Sequence, residues 1–407
     1  MKKKNIYYSI IFILIILLFI FIKNTNTTVA MEENNLNITE YYNDTVITTN
    51  DSIIYDNNLE KIGYISKGIE LTLDGIIDNY FIITNLDDNY YIKYSDVKKI
   101  DKLSINDDRF EKYIVFNENI VTQKHTNFYD ENDNLIFSIN KGYNLPIIIK
   151  EKNKYGVKFA NRLLYIHKDD GYIIENNNKN DTNTNGIAIL NYHFIYKDND
   201  KDCNQEICIS ESQFREHLSY IKDNNYFTPT MKELEMYIDG KIQLPKSVVI
   251  TADDGGYAEN YKRLLEEYQL NGTLFLISGW FNIKDFQSDY MELHSHTNDM
   301  HDVGDCPTGQ GGAIQCFKEE DILNDLKTTR EKLNNTTYFA YPFYEYNDYS
   351  IKMLKEAGFT MAFGGEYENG ELYVRPGIDK FKLPRWVIVN YTTMDTFKSY
   401  LNLGDGR

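Results

Sequence analysis

Positive charge is in short supply. The 407 residues carry 43 Lys and Arg against 61 Asp and Glu, a net charge of −18. Four of the lysines, Lys2, Lys3, Lys4 and Lys23, flank one apolar run near the N-terminus, so the rest of the chain is more acidic still. No basic stripe survives that balance. This excludes a nucleic-acid binder and disfavours a polyanionic substrate. Cysteine is equally sparse, with Cys203, Cys208, Cys306 and Cys316 only. None directly follows the apolar run, which excludes a lipoprotein. The four fall as two close pairs, and three pairings are open. Cys203–Cys208 and Cys306–Cys316, each closing a local loop, is the pairing favoured. A four-cysteine zinc site is the rival, but neither pair has the two-residue spacing usual there. What the chain does have, 42% apolar and 26% charged residues, is ordinary for globular protein. Its length suggests two or three domains.

Lys2-Lys3-Lys4 precedes Ile6 to Ile22, a run without charge, Pro or Gly. At 1.5 Å per residue it spans about 25 Å, near the lower limit for crossing a bilayer. Residues 1–23 therefore read as a cytoplasmic tip and transmembrane anchor, with the remainder extracellular because the lysines stay inside. Cleavage as a signal peptide near Ala30 is the alternative, since Thr28-Val29-Ala30 offers a small-x-small site.

Residues 24–41, polar and without periodicity, read as a stalk. Residues 42–100 and 112–174 carry short β-prone runs separated by turn residues, and they repeat one another. Ile54-Tyr55-Asp56, Lys67-Gly68 and Leu71 recur 74 positions on as Phe128-Tyr129-Asp130, Lys141-Gly142 and Leu145. Two small all-β barrels are predicted. In strand rhythm and the Lys-Gly turn they resemble bacterial SH3-like modules, which implies binding to cell-wall glycan or peptide; the alternative is a pair of spacers. Residues 175–186 are almost all Asn, Lys, Asp and Thr and read as a linker.

Beyond the linker, from 187 to 407, the pattern changes. Apolar runs Ile187–Tyr192, Ser247–Thr251, Thr273–Ile277, Tyr338–Tyr341 and Phe359–Phe363 predict buried strands. Helical stretches separate them. Ser210-x-x-Gln213 and Thr230-x-x-Glu233 are helix-start signals, and Gly358 is a helix stop. This alternation means an α/β domain, most simply a (β/α) barrel.

Chemistry-bearing residues gather at strand ends, where barrel active sites are built. Asp253 and Asp254 end one strand and precede two glycines. Paired acids can divide metal binding from proton transfer. His294, His296 and His301 place three of seven histidines within eight residues. Five-residue spacing does not share a helix face, so a loop or bulged turn must bring His296 and His301 together. Ala340-Tyr341-Pro342-Phe343-Tyr344 and Leu383-Pro384-Arg385-Trp386 put aromatics beside strand ends, so Tyr341, Tyr344 and Trp386 are candidates for a substrate groove.

Asp253-Asp254, His296/His301 and Ala340-Tyr341-Pro342-Phe343 resemble, in order, the motifs of the polysaccharide deacetylase family (NodB homology, carbohydrate esterase 4). The resemblance covers roughly residues 186–407. It implies a distorted (β/α) barrel with one divalent metal, commonly zinc with cobalt, nickel or manganese as alternatives. By position, Asp254, His296 and His301 resemble the metal ligands and Asp253 the general base. The backbone N–H of Phe343 resembles the oxyanion-hole donor. Three departures stand out. Ala252 replaces a Phe. Ala340 replaces the Arg that holds the base, a part that Arg385 is expected to take. No His follows His301, so the usual general acid is missing. Leu190-Asn191-Tyr192-His193 resembles the first motif of the circularly permuted branch, which includes poly-β-1,6-N-acetylglucosamine deacetylases, and makes His193 the expected acid.

The expected activity is hydrolysis of N-acetyl groups on an acetylated glycan polymer, either peptidoglycan or poly-N-acetylglucosamine, by a monomer held at the membrane. The competing readings are a catalytically weak wall-binding scaffold and an O-acetyl esterase using the same site.

Overall fold

The computed structural model describes residues 40–85, 88–101, 109–159, 162–176, 186–200, 203–366 and 370–402. The expected anchor, nearly all of the stalk and most of the linker lie outside them. Among the described residues no helix is long and apolar enough to cross a membrane. The chain divides into two compact units, residues 1–104 with 136–139, and residues 105–135 with 140–407.

The first unit is antiparallel sheet. Its strands are β1 (Glu40–Thr48), β2 (Ser52–Tyr55), β3 (Lys61–Ile65), β4 (Glu70–Ile77), β5 (Tyr80–Asn85), β6 (Asp88–Lys93) and β7 (Val97–Ile100). Strict in–out alternation along β4 buries Leu71, Leu73 and Ile77 beside Val46, Ile54 and Ile92. The unit also takes in residues 136–139, whose Phe137 pairs with Ile65 of β3. The two β repeats are therefore not divided cleanly at residues 100–112.

The second unit opens with the other repeat. It comprises β8 (Glu118–Thr122), β9 (Thr126–Tyr129), the remainder of β10 (Leu135–Ile139), β11 (Asn144–Lys150), β12 (Lys154–Phe159), β13 (Arg162–His167) and β14 (Gly171–Glu175). The 74-residue repeat holds at the level of single hydrogen bonds. Asp56 Oδ1 accepts the N–H groups of Asn58 and Glu60 at 2.9 and 2.8 Å; Asp130 Oδ1 accepts those of Asn132 and Asn134 at the same distances. Thr48 Oγ1 donates to Ser66 O and accepts the Ile69 N–H, and Thr122 Oγ1 does the same with Asn140 and Tyr143. Gly68 and Gly142 occupy the matching turns at φ +82° and +96°, where a side chain would be strained. These turns fix the repeat because each needs a particular residue type.

The α/β domain follows in the same unit. In chain order it runs β15 (Ala188–Tyr192), β16 (Phe194–Tyr196), β17 (Cys208–Ser210), α1 (Glu211–Asp223), α2 (Met231–Ile238), β18 (Val248–Asp254), α3 (Ala258–Tyr268), β19 (Gly272–Leu276) and β20 (Met291–Ser295). Next come α4 (Glu319–Lys332), β21 (Tyr338–Ala340), α5 (Asp348–Glu356), β22 (Met361–Phe363), β23 (Trp386–Val387) and α6 (Met394–Asn402). Thr230 and Glu233 form a full capping box at α2, and Ser210 caps α1 from its side chain. The second β repeat meets this domain at α2: Arg109 pairs with Glu233, Tyr113 Oη donates to Glu233 at 2.9 Å, and Lys150 N–H donates to Lys241 O at 2.8 Å.

Seven parallel strands lie in the order β22-β21-β20-β19-β18-β15-β23. Leu383 bridges to Phe363 of β22, while Trp386 pairs with Leu190 of β15. One short segment thus bonds to both edge regions of the sheet, and the arrangement fits a distorted (β/α) barrel. Alternation sorts the side chains. Leu190, Tyr192, Ile250 and Leu274 join the core beneath α1, α3 and α6, whereas Ile189, Val249 and Phe275 pack with Ala340, Phe363 and Leu383 on the other face.

His217 on α1 belongs to the first of these cores. It stacks on Phe397 at 3.9 Å and meets Tyr192 Oη at 3.0 Å through Nδ1. Burial lowers its pKa to about 3. The unfolded chain, with a histidine near its ordinary 6.5, binds a proton that the folded chain refuses. Stability present above pH 6.5 is therefore lost as the pH falls toward 3. Urea midpoints measured across that range are expected to fall with acid, and less steeply in His217→Gln; equal slopes would count against this account.

Candidate active site

Adjacent strand residues normally point to opposite faces. Asp253 and Asp254 both reach one cleft because Asp254 adopts φ +73°, which ends the alternation of β18. Gly255 follows at φ +121°, and a Cβ there would meet Leu276 Cδ1 at 2.6 Å. Thr297, Phe343 and Tyr344, on the loops after β20 and β21, also hold positive φ. Four non-glycine residues in this conformation thus stand at the cleft, as strained functional sites tend to.

Asp253 is buried, 1% exposed, and forms a two-pronged pair with Arg385, Nη1 to Oδ1 at 2.7 Å and Nη2 to Oδ2 at 2.8 Å. Arg385 arrives on the segment that bonds to both sheet edges, and its Nε donates to Gly364 O at 2.9 Å. Asp253 thus has an arginine partner although position 340 is alanine. Burial pushes the Asp253 pKa up, but Arg385 and His296 outweigh it and hold the carboxyl below its ordinary range.

Asp254 Oδ1 lies 3.3 Å from His296 Nε2 and 3.2 Å from His301 Nε2, and the two Nε2 atoms are 3.0 Å apart. His296 Nδ1 donates to Ala340 O at 2.9 Å, which leaves the Nε2 lone pair facing the cluster. The bulged turn that the five-residue spacing requires is present. Thr297 O and Asn298 O accept the N–H groups of Ser278 and Gly279, and Asp325 on α4 accepts those of Asn298 and Asp299, both at 2.8 Å. His301 is drawn two ways: burial lowers its pKa, and the Asp254 carboxylate raises it by more. His294 is not part of the cluster; its Nδ1 pairs with Thr336 at 2.7 Å.

His193 lies in the same cleft, with Nε2 3.4 Å from Tyr344 Oη. Its Nδ1 is buried and has no hydrogen-bond partner among the described residues. Burial lowers its pKa, against an opposing pull from Asp253 and Asp254. Phe343 lines the cleft and packs on His301 at 4.6 Å.

Two groove candidates are corrected. Tyr341 is fully buried, stacks on Tyr346 and donates to Phe381 O at 3.1 Å; it shares a face of β21 with Phe339, away from the cleft. Trp386 is 5% exposed and stacks on Tyr400 at 4.2 Å in the core. Tyr344 does line the cleft. The exposed tryptophan is Trp280, 49% accessible, 5.9 Å from the His301 ring, with its indole N–H donating to Asp299 at 2.6 Å. Asn191, read in the sequence only as part of a motif, belongs to the site as well. Its Nδ2 donates to Asp253 Oδ2 and Tyr344 Oη, and its Oδ1 accepts from Arg385 Nη1 and Thr251 Oγ1. Strand alternation holds the signal for it, since Asn191 pairs with Thr251, two residues before Asp253.

Both expected disulfides, Cys203–Cys208 and Cys306–Cys316, are present, which removes the four-cysteine zinc reading. The cleft, lined by Gln205 and Gln310 from the two disulfide-closed loops, has a volume of about 470 Å³.

Residues 241–362 match the polysaccharide deacetylase family. The chain carries a polysaccharide deacetylase domain. Over 255 residues it is 26% identical to poly-beta-1,6-N-acetyl-D-glucosamine N-deacetylase of Staphylococcus aureus, covering 54% of this chain and 84% of that protein. A solved structure of IcaB from Ammonifex degensii aligns with 55% of this chain and 98% of its own, at 22% identity and a TM-score of 0.46. A polysaccharide deacetylase from Bacillus cereus, BC0361, aligns with 75% of this chain and 94% of its own, at 18% identity and a TM-score of 0.44. The family match over residues 241–362 makes this domain a hydrolase of the polysaccharide deacetylase type.

Proposed function

We propose that the protein removes N-acetyl groups from an extracellular N-acetylglucosamine polymer in a metal-dependent reaction. One observation carries this: a convergent Asp254–His296–His301 cluster stands beside a buried Asp253–Arg385 pair in a single cleft. The three ligand atoms lie within 4.8 Å of one another. One carboxylate and two imidazoles, with His296 steered by Ala340 O, suit zinc or a similar divalent ion. Bound there, the ion supplies Lewis acidity toward the acetyl group and the attacking water.

The rest of the chemistry belongs to the chain. Asp253, kept ionised by Arg385, takes a proton from the water that attacks the acetyl carbon. The N–H of Phe343 donates to the developing oxyanion. His193, in its protonated form, gives a proton to the leaving nitrogen as the C–N bond breaks. Acetate and a glucosamine-type amine result. Trp280 and Tyr344 offer the aromatic surface that Tyr341 and Trp386 do not. The 6–22 run as anchor, and the two disulfides, which persist in oxidising compartments, support an extracellular site at the membrane. The β repeats are read as SH3-like modules that hold the domain at the wall.

The test is acetate release by the zinc-loaded protein from β-1,4- and β-1,6-linked N-acetylglucosamine oligomers. Release from either supports the reading, and the preferred linkage separates wall from exopolysaccharide. No release from either, with metal bound, moves the weight to the scaffold reading. The acid role has its own check. His193→Gln is expected to slow amide hydrolysis by about 10²–10⁴-fold, and aryl acetate hydrolysis far less, since a phenolate leaves without a proton. Equal losses on both would remove His193 from that role.

A further inference from the structure

Two loops reach the cleft from different sides, and each is closed by a disulfide. Cys203–Cys208 encloses Gln205 and Ile207, on the β15–β23 side; Cys306–Cys316 encloses Gln310, on the β20–β21 side. Their backbones are tied down further. Gln205 O accepts from Asn390 Nδ2 at 3.2 Å and from the Cys208 N–H at 3.1 Å, and Glu206 O accepts the Asn390 N–H at 2.8 Å. Glu345 gathers the N–H groups of Gln310 and Gly312 together with the Gln315 side chain, and Gln310 O accepts the Gly304 N–H at 2.8 Å. Yet the side-chain amides of Gln205 and Gln310 are exposed and make no hydrogen bond among the described residues. The backbone is fixed and the amide is left free at the cleft.

The geometry points to Gln205 and Gln310 as glycan-gripping residues, held in place by the two disulfides. This rests on the deacetylase reading of the cleft. A carboxamide donates and accepts, as sugar hydroxyls and acetamido groups do. It is also neutral, so it adds no charge beside Asp253 and Asp254. Pre-ordering the loops lowers the entropy lost when the chain of sugars docks.

The test uses the full zinc-loaded chain and an N-acetylglucosamine pentamer. With acetate release as readout, Gln205→Ala and Gln310→Ala are each expected to raise KM about tenfold while kcat falls less than twofold, a polar contact being worth about that much. Calorimetric Kd values, taken in the Asp253→Asn background where turnover is slowed, are expected to rise in parallel. Reducing the disulfides is expected to raise Kd in the parent and to add little in the double variant. Pentamer binding without acetate release would overturn the deacetylase reading alone. Acetate release with KM and Kd unchanged in the double variant would overturn the grip alone.

Discussion

Asp253→Asn is expected to keep its metal and lose about 10²–10⁴-fold in acetate release, whereas Asp254→Ala loses both metal and activity. Neighbouring carboxylates differ this sharply because they face different partners. Asp253 spends its oxygens on Arg385 and Asn191 and makes no close approach to the histidine cluster. An amide of the same shape still accepts from Arg385 but cannot take a proton from water. Asp254 contributes one of three converging donor atoms, and two imidazoles alone hold a divalent ion poorly. Metal content by plasma mass spectrometry and acetate release, measured on the same preparations, separate the roles. Circular dichroism guards against unfolding, since Asn at 253 leaves the Arg385 charge less compensated. Near-normal turnover in Asp253→Asn would remove it as the base, and full metal content in Asp254→Ala would remove the cluster as the metal site.

Much of this site is legible in the sequence, for a physical reason. Barrel chemistry sits where strands end, so strand ends bearing scarce residue types stand out: adjacent acids before two glycines, and three of seven histidines in eight residues. Arg385 is legible twice, beside Trp386 at a strand end and through the alanine at 340 that leaves Asp253 without its usual partner. The aromatic residues were misplaced because Tyr and Trp suit core and groove alike. Alternation would have separated them. Phe339 and Tyr341 share one face of β21 while Ala340 takes the other, and Trp386 turns outward as Arg385 turns in.

Other parts are written in no local pattern. The strand β20, Met-Glu-Leu-His-Ser, alternates too weakly to announce itself, and its pairing with β19 and β21 makes it a strand. Trp280 reaches His301 because Gly279 bonds to Asn298 across two loops, a close approach at which a Cβ would meet Asn298 O at 2.5 Å. Asp325 steadies the histidine turn from a helix 26 and 27 residues away in sequence from the two N–H groups it accepts. The β repeat was visible because its turns demand particular residues, yet nothing in its spacing announced that residues 136–139 pair with β3.

Arg385→Ala is expected to be nearly as damaging as loss of Asp253 itself, and in a way that pH exposes. Without the guanidinium, Asp253 is a buried carboxylate whose remaining partner there is the Asn191 amide. Burial then dominates and its pKa rises. A base must be deprotonated to act, so acetate release by the variant falls at neutral pH and recovers as the pH is raised, where the parent is level. Breaking a buried pair also costs about 3–5 kcal/mol of stability, to be read from urea unfolding. Arg385→Lys is expected to recover little, because a point charge cannot reproduce two parallel bonds to Asp253 and a third to Gly364. Arginine supplied from the other side is the sharper control. Ala340 faces the same interior as Arg385, beside Phe275 and Phe363. If the role is to place one positive charge against Asp253, Ala340→Arg in the Arg385→Ala background restores part of the neutral-pH rate and moves the acid limb back down. A profile that stays displaced while the double variant is folded would show that Arg385 acts through the sheet closure at 383–387 rather than through its charge.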